Sequence, residues 1–153
     1  AFDGALSLAL DIQRNEIESR IKFDHVFIDA GTGLQAAALI LGLAALRHRA
    51  KIHVLLLADP PAIFLKKLNR LYQDFSDHLG EGFAVPDNFD FQTPCNAASF
   101  GSVNKKLFDF IARFARVEGV FLDPIYSAKL LLESQRLVVE QEMRGNILFI
   151  HSG

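Results

Sequence analysis

Gly31-Thr32-Gly33 sits between a short apolar run, Val26 to Asp29, and a longer one that opens at Leu34. A strand entering a glycine-bearing turn and leaving as a helix aims backbone N–H groups and the positive end of the helix at one spot. A phosphate or carboxylate is favoured there. The same glycines are equally explained by the steric demands of a tight turn, and Thr32 by helix capping. A second unit of this kind runs from Glu118-Gly119 through Val120-Phe121-Leu122 to Asp123-Pro124-Ile125-Tyr126-Ser127-Ala128-Lys129. It brings a phenol, a hydroxyl and a carboxylate to a turn. Leu148-Phe149-Ile150 leads to a third turn at His151-Ser152-Gly153. Ligands of parallel α/β sheets bind outside the carboxyl ends of the strands. Ala30 to Leu34, Asp123 to Ser127 and His151 to Gly153 are therefore expected to open towards one edge.

The elements that position these turns follow from hydrophobic periodicity. Val26 to Asp29, Ile52 to Leu57, Val120 to Leu122 and Ile147 to Ile150 are short, nearly continuous apolar runs. They are expected to be parallel strands covered on both faces. Between them lie helical patterns at Leu6 to Ile21, with Leu6, Leu10, Ile17 and Ile21 as its apolar side, and at Leu34 to Leu46. A third starts at Asp59-Pro60-Pro61 and runs towards Leu79 with Gly80 as its stop. Val103 to Val117 and Tyr126 to Arg144 complete the set, the latter ending at Gly145. Strands alternating with helices imply an α/β fold, a three-layer α/β/α arrangement around a mostly parallel sheet. Gly82 to Asn96, with two prolines and no clean period, reads as a long irregular connection pinned by Phe83, Phe89 and Phe91. No linker or repeat interrupts residues 1–153, so a single domain is expected.

Glu-Gly, three apolar residues, Asp-Pro-Ile-Tyr-Ser-Ala-Lys and then Ile-His-Ser-Gly form a pattern that resembles the D-cysteine desulfhydrase / 1-aminocyclopropane-1-carboxylate deaminase family. The resemblance runs over nearly all of the chain and covers about the C-terminal half of a family member. It implies a partial tryptophan synthase β-like domain and pyridoxal 5'-phosphate as cofactor. It further implies a small amino-acid substrate, broken down by β-elimination or deamination to ammonia and a 2-oxo acid. By the same resemblance Gly31, Thr32, Gly33 and Leu34 would hold the cofactor phosphate, Ser127 would face the pyridine nitrogen, and Tyr126 would act over substrate and ring. Phe100, with Gly101, occupies the place of an aromatic-glycine pair near the substrate. Serine at 127, where the deaminases carry glutamate, and phenylalanine at 100, where a tyrosine stands, favour the desulfhydrase side.

The lysine that forms the internal aldimine in this family belongs to an N-terminal region absent from this sequence. Lys129 matches a separate motif lysine and, three residues along a helix from Tyr126, is expected to point away from the ring. The chain is accordingly expected to be inactive alone and to pair with the missing region or with a second copy. Its opening at Ala1-Phe2-Asp3, without methionine, fits a trimmed fragment.

Composition removes several other classes. A formal net charge of −2 offers no basic face to nucleic acid and no polybasic membrane patch. Leu34 to Leu46 is too short to span a bilayer. One cysteine, Cys95, excludes an intrachain disulfide framework and fits a reducing, cytoplasmic setting. His25, His48, His53 and His78 show no metal-ligand spacing, and His151 at a strand end reads as a hydrogen-bonded structural residue. A different class remains open: a non-catalytic α/β module binding a phosphate-bearing nucleotide or metabolite at the first turn. It has neither Gly-x-Gly-x-x-Gly spacing nor, apart from Asp59, an acidic residue to hold a ribose.

Overall fold

The computed structural model describes residues 2–79, 83–84 and 87–152. Gly80, Gly82, Pro86 and Gly153, which figure in the expectations above, lie outside the described residues. Among the described residues nine elements follow one another: α1 (Phe2–Ser19), β1 (His25–Ala30), α2 (Leu34–Ala45), β2 (Lys51–Leu56), α3 (Pro61–Leu79), β3 (Phe89–Gln92), α4 (Lys105–Glu118), α5 (Ser127–Glu140) and β4 (Ile147–Phe149). The sheet is parallel throughout, in the order β3-β2-β1-β4.

Side chains alternate across this sheet and sort the helices into two layers. Val26, Ile28 and Ala30 of β1 and Ile52, Val54 and Leu56 of β2 meet α1, α2 and α3 in the main core. Phe27, Leu55 and Leu57 turn the other way, onto Leu130 and Leu137 of α5, and α4 packs on α5 through Leu107, Phe110 and Ala128. Helix α2 is buried without a break from Ala36 to Leu43, as an all-apolar helix must be. A polar chain crosses the α5 side: His25 Nδ1 lies 3.0 Å from His53 Nε2, and His53 Nδ1 lies 2.9 Å from Asp90 Oδ1.

Four expectations need correction. Val120 to Leu122 is not a strand. Leu122 is buried, but Val120 and Phe121 are 43% and 83% exposed, and no neighbouring strand ladders with this stretch. An apolar run alone does not supply a backbone partner. The fourth strand is instead Phe89–Gln92, inside the segment expected to be irregular. Its Phe-Asp-Phe-Gln alternation sends Phe89 and Phe91 into the main core and Asp90 to His53; proline punctuation on either side hid it. The apolar side assigned to α1 is also displaced. The helix buries Ala9, Ile12 and Glu16, while Leu10, Ile17 and Ile21 are exposed. The cause is a close crossing with α2, where a Cβ built on Gly42 would lie 2.7 Å from the Ala9 methyl group. Small residues set the closest contact, with Leu6 of the assigned side 3.6 Å from the same Cβ position. Helix α5 stops at Glu140, four residues short of the expected Arg144. Phe83, by contrast, packs on the core as expected, with Tyr72 and Phe75 edge-on to its ring.

Connections from β1 to β2 and from β2 to β3 run through α2 and α3 on one face. The return to β4, on the other side of β1, runs through α4 and α5 on the opposite face. The strand order therefore reverses at β1, and the crevice outside its carboxyl end is where such a sheet accepts a ligand.

Candidate functional site

The crevice is built where the three turns converge. Asp29, Ala30, Gly31, Thr32, Gly33, Gln35, Ala36, Tyr126 and Ser152 line a cavity of about 230 Å³. Gly33 is the N-cap of α2, at φ +82°, and no side chain caps the helix. No acidic residue sits in its first turn. The opening N–H groups of α2 thus keep their donor capacity for an outside acceptor. Thr32 does not cap the helix. Its backbone carbonyl accepts from Lys67 Nζ at 2.9 Å, and the same ammonium reaches Asp59 Oδ2 at 2.5 Å. Lys67 thereby ties the turn after β1 to the turn after β2 and places a cation beside the anion cradle. Sequence reasoning missed Lys67, because its reach to Thr32 spans 35 positions of sequence.

Tyr126 closes the other side. A Cβ on Gly31 would come within 2.8 Å of Tyr126 Cε1 and 3.3 Å of its phenol oxygen, so glycine is required for the ring to lie against the turn. Phe100 meets Tyr126 edge-on with ring centres 6.2 Å apart, and it is 57% exposed. It also borders an adjoining hollow formed by the turn after β2, with Asp59, Pro60 and Thr93. Gly31, Thr32, Gly33, Leu34, Tyr126 and Phe100 are therefore brought to one edge.

Ser127 is placed differently. It is fully buried. Its Oγ donates to Asp123 Oδ2 at 2.6 Å and accepts from the Asp123 N–H at 2.8 Å. The Asp123 carboxylate in turn accepts from the N–H groups of Ile125, Tyr126 and Ser127. Burial pushes the Asp123 pKa up, but the Ser127 hydroxyl and these N–H groups together outweigh it and hold the carboxyl below its ordinary value. Asp123 ties down the turn that leads into α5, whose N-cap position is Tyr126, and Ser127 completes its hydrogen bonding. The whole assembly fixes the backbone from which Tyr126 projects.

Lys129 is buried, and its Nζ donates to the Ser99 carbonyl at 3.1 Å. Burial lowers its pKa against the pull of Asp123. The ammonium supports the turn that carries Phe100 and points away from the cavity. His151 Nε2 lies 2.8 Å from the Phe121 carbonyl, a structural role, and no group of three or more metal-ligating side chains occurs among the described residues. Among those residues no helix is long and apolar enough to cross a membrane.

A pyridoxal phosphate fits these residues at its phosphate end. An uncapped helix N-terminus, a glycine whose missing Cβ leaves room for Tyr126, and a nearby lysine form a donor set suited to a phosphate monoester. Fold and site together define a partial tryptophan synthase β-like α/β domain, a parallel three-layer sheet with its ligand crevice at the carboxyl edge. A crystal structure described as that of an "ACC deaminase homologue" superposes on all of this chain with a TM-score of 0.83 and 25% identity, over 46% of that protein. A D-cysteine desulfhydrase from Serratia proteamaculans is 27% identical over 98% of this chain and 46% of its own length. A 1-aminocyclopropane-1-carboxylate deaminase from Burkholderia multivorans is 23% identical over 98% of this chain and 45% of its own. No family model matches. Within that class, the chain is similar to the C-terminal half of D-cysteine desulfhydrases and 1-aminocyclopropane-1-carboxylate deaminases, and it spans less than half the length of these relatives.

Proposed function

We propose that this chain is the phosphate-anchoring half of a pyridoxal-phosphate enzyme. The activity is deamination or β-elimination of a small amino acid, D-cysteine-like substrates ahead of the cyclopropane amino acid, with release of ammonia and a 2-oxo acid. The observation that carries the reading is the uncapped start of α2 lying under Tyr126 at the strand-order reversal. The cofactor, when bound, supplies an electron sink for the carbanion at Cα. The chain's own residues bind and orient. Backbone N–H groups from Gly31 to Leu34 hold the phosphate, Lys67 adds a cation at the turn, and Phe100 borders the substrate side. Tyr126 holds or moves a proton at its phenol oxygen. A lysine able to hold the cofactor covalently is not placed at the cavity among the described residues, since Lys129 and Lys67 bind backbone carbonyls. Activity on this reading requires the N-terminal region that the longer relatives possess. A nucleotide reading is less well supported, because the Asp59 carboxylate, the acid at the end of β2 that would hold a ribose, is already paired with Lys67.

The test is reconstitution. Alone, the chain should bind pyridoxal phosphate without forming a borohydride-reducible adduct in the cavity. Co-expressed with the N-terminal region of a relative, it should release ammonia from a small amino acid. Neither binding nor ammonia release under both conditions would overturn the reading.

A further inference from the structure

Asp29 shares the wall of the candidate cavity with the anion cradle, and nothing in the proposed function uses it. Alternation along β1 puts it on the α5 side, after His25 and Phe27, two residues ahead of Gly31. It is 7% exposed, and Ser152 Oγ donates to its Oδ1 at 2.6 Å. Burial pushes its pKa up. The Ser152 hydroxyl opposes that shift, nearby Asp123 adds to it and His151 pulls back. These are the titratable groups facing it: Asp123 from the turn before α5, and His151 from the segment after β4. Neither is a fixed cation, and Lys67 is engaged with Thr32 and Asp59.

A buried carboxyl beside an anion cradle conflicts with a bare anion as occupant. At the low effective dielectric of such a pocket, like charges a few ångströms apart repel strongly. The conflict disappears if the occupant carries its phosphate at one end and a protonatable nitrogen at the other. Ser127 does not meet that nitrogen freely, because its hydroxyl is committed to Asp123. Gln35, Thr32, Tyr126 and Ser152 also line the cavity with polar groups, but Asp29 is the one acidic side chain in the lining and thus the one that can pair with a protonated nitrogen as an ion.

We propose that Asp29 is a specificity-determining residue: it pairs with the basic ring nitrogen of a phosphorylated aromatic ligand and disfavours anions that carry phosphate alone. The proposal rests on the reading of this pocket as a pyridoxal-phosphate site and adds to it the group that selects the ring.

The experiment is calorimetric titration of the full 153-residue chain with two probes, pyridoxine 5'-phosphate and inorganic phosphate. The first carries the ring nitrogen and no aldehyde, so surface lysines cannot capture it. The wild-type chain should prefer pyridoxine 5'-phosphate. Asp29→Asn should reduce that preference about tenfold, the scale of one hydrogen bond to a charged group, by weakening pyridoxine 5'-phosphate and not inorganic phosphate. Absorbance of the bound ring should show its nitrogen losing a proton at lower pH in the variant. Ser152→Ala, which frees the carboxyl from its hydroxyl partner, should shift the preference less, and it serves as the second variant should Asp29→Asn fold poorly. Wild-type binding with the preference and ring titration unchanged in both variants would overturn the role of Asp29 alone. No wild-type binding of pyridoxine 5'-phosphate would overturn the pocket reading and the role of Asp29 with it.

Discussion

At the scale of single residues, the site depends on two glycines and two carboxyl groups. Replacing Gly31 with alanine drives a methyl group to 2.8 Å from the Tyr126 ring. The ring must move, at an overpacking cost of about 1–3 kcal/mol. Denaturant melts should show that loss, and phosphate-ligand binding should weaken as the cradle deforms. Gly33→Ala carries a different penalty, a left-handed φ of +82° together with a contact 3.0 Å from Phe64, and about 1–2 kcal/mol is expected from the backbone alone. The carboxyl groups titrate with opposite signs. The folded pKa of Asp123 is depressed, so it contributes stability above its ordinary value of 3.8, and that contribution is lost as pH falls through the folded value. Ser127→Ala removes a donor to that carboxylate and should cost about 1–3 kcal/mol near neutrality, less in acid. The folded pKa of Asp29 is raised from 3.8. The native state then holds its proton over a range where the unfolded chain has released it, so stability declines as pH rises through that range. Asp29→Asn should therefore be more stable than wild type at neutral pH, an advantage that vanishes below about 3.8. Equal melting of the two proteins at both pH values would show that the carboxyl is not desolvated.

Elements were legible where hydrophobic content and sheet position agreed. The runs that became β1, β2 and β4 are apolar because helices or neighbours cover them, and α2 is apolar because all its sides are buried. Glycine and proline punctuation located the starts of α2 and α3. Legibility failed where tertiary partners decided the outcome. Val120 to Leu122 has the composition of a strand and no strand beside it. Phe89–Gln92 has only four residues, between prolines, yet its register with Ile52 to Leu55 is set by the sheet. At the site, the turn glycines and Tyr126 stood out through their residue types and spacing. Asp29 and Lys67 did not, because their significance lies in contacts made across the fold, to Ser152 and Thr32. The α1–α2 crossing shows the same limit, since Gly42 against Ala9 sets its closest contact. Gly42→Val should overpack that seam by about 1–3 kcal/mol. Hydrogen exchange should then show α1 losing protection while the strands keep theirs; uniform loss would mean that α1 does not unfold separately.

At the scale of the whole molecule, the distribution of apolar surface argues for association. The face of α1 that carries Leu10 and Ile17 is uncovered, as are Ile21 just after that helix, Phe108 and Val117 on α4, Phe121 in the loop after it, and Val139 on α5. Patches of this sort on a domain that spans under half the length of its relatives are normally covered by another part of the assembly. Both outer strands of the sheet, β3 and β4, also end the ladder as described, and open edges favour pairing with further chain. Sedimentation velocity should therefore show a concentration-dependent shift from monomer to dimer or larger species. Adding the N-terminal region of a relative should convert those species to one defined complex. Phe121→Ser with Ile17→Ser, two exposed positions whose replacement leaves the core intact, should weaken self-association while changing the melting temperature little. A chain that remains monomeric at high concentration and ignores the N-terminal region would show that these faces are tolerated by the isolated domain, and association would then not be what completes the site.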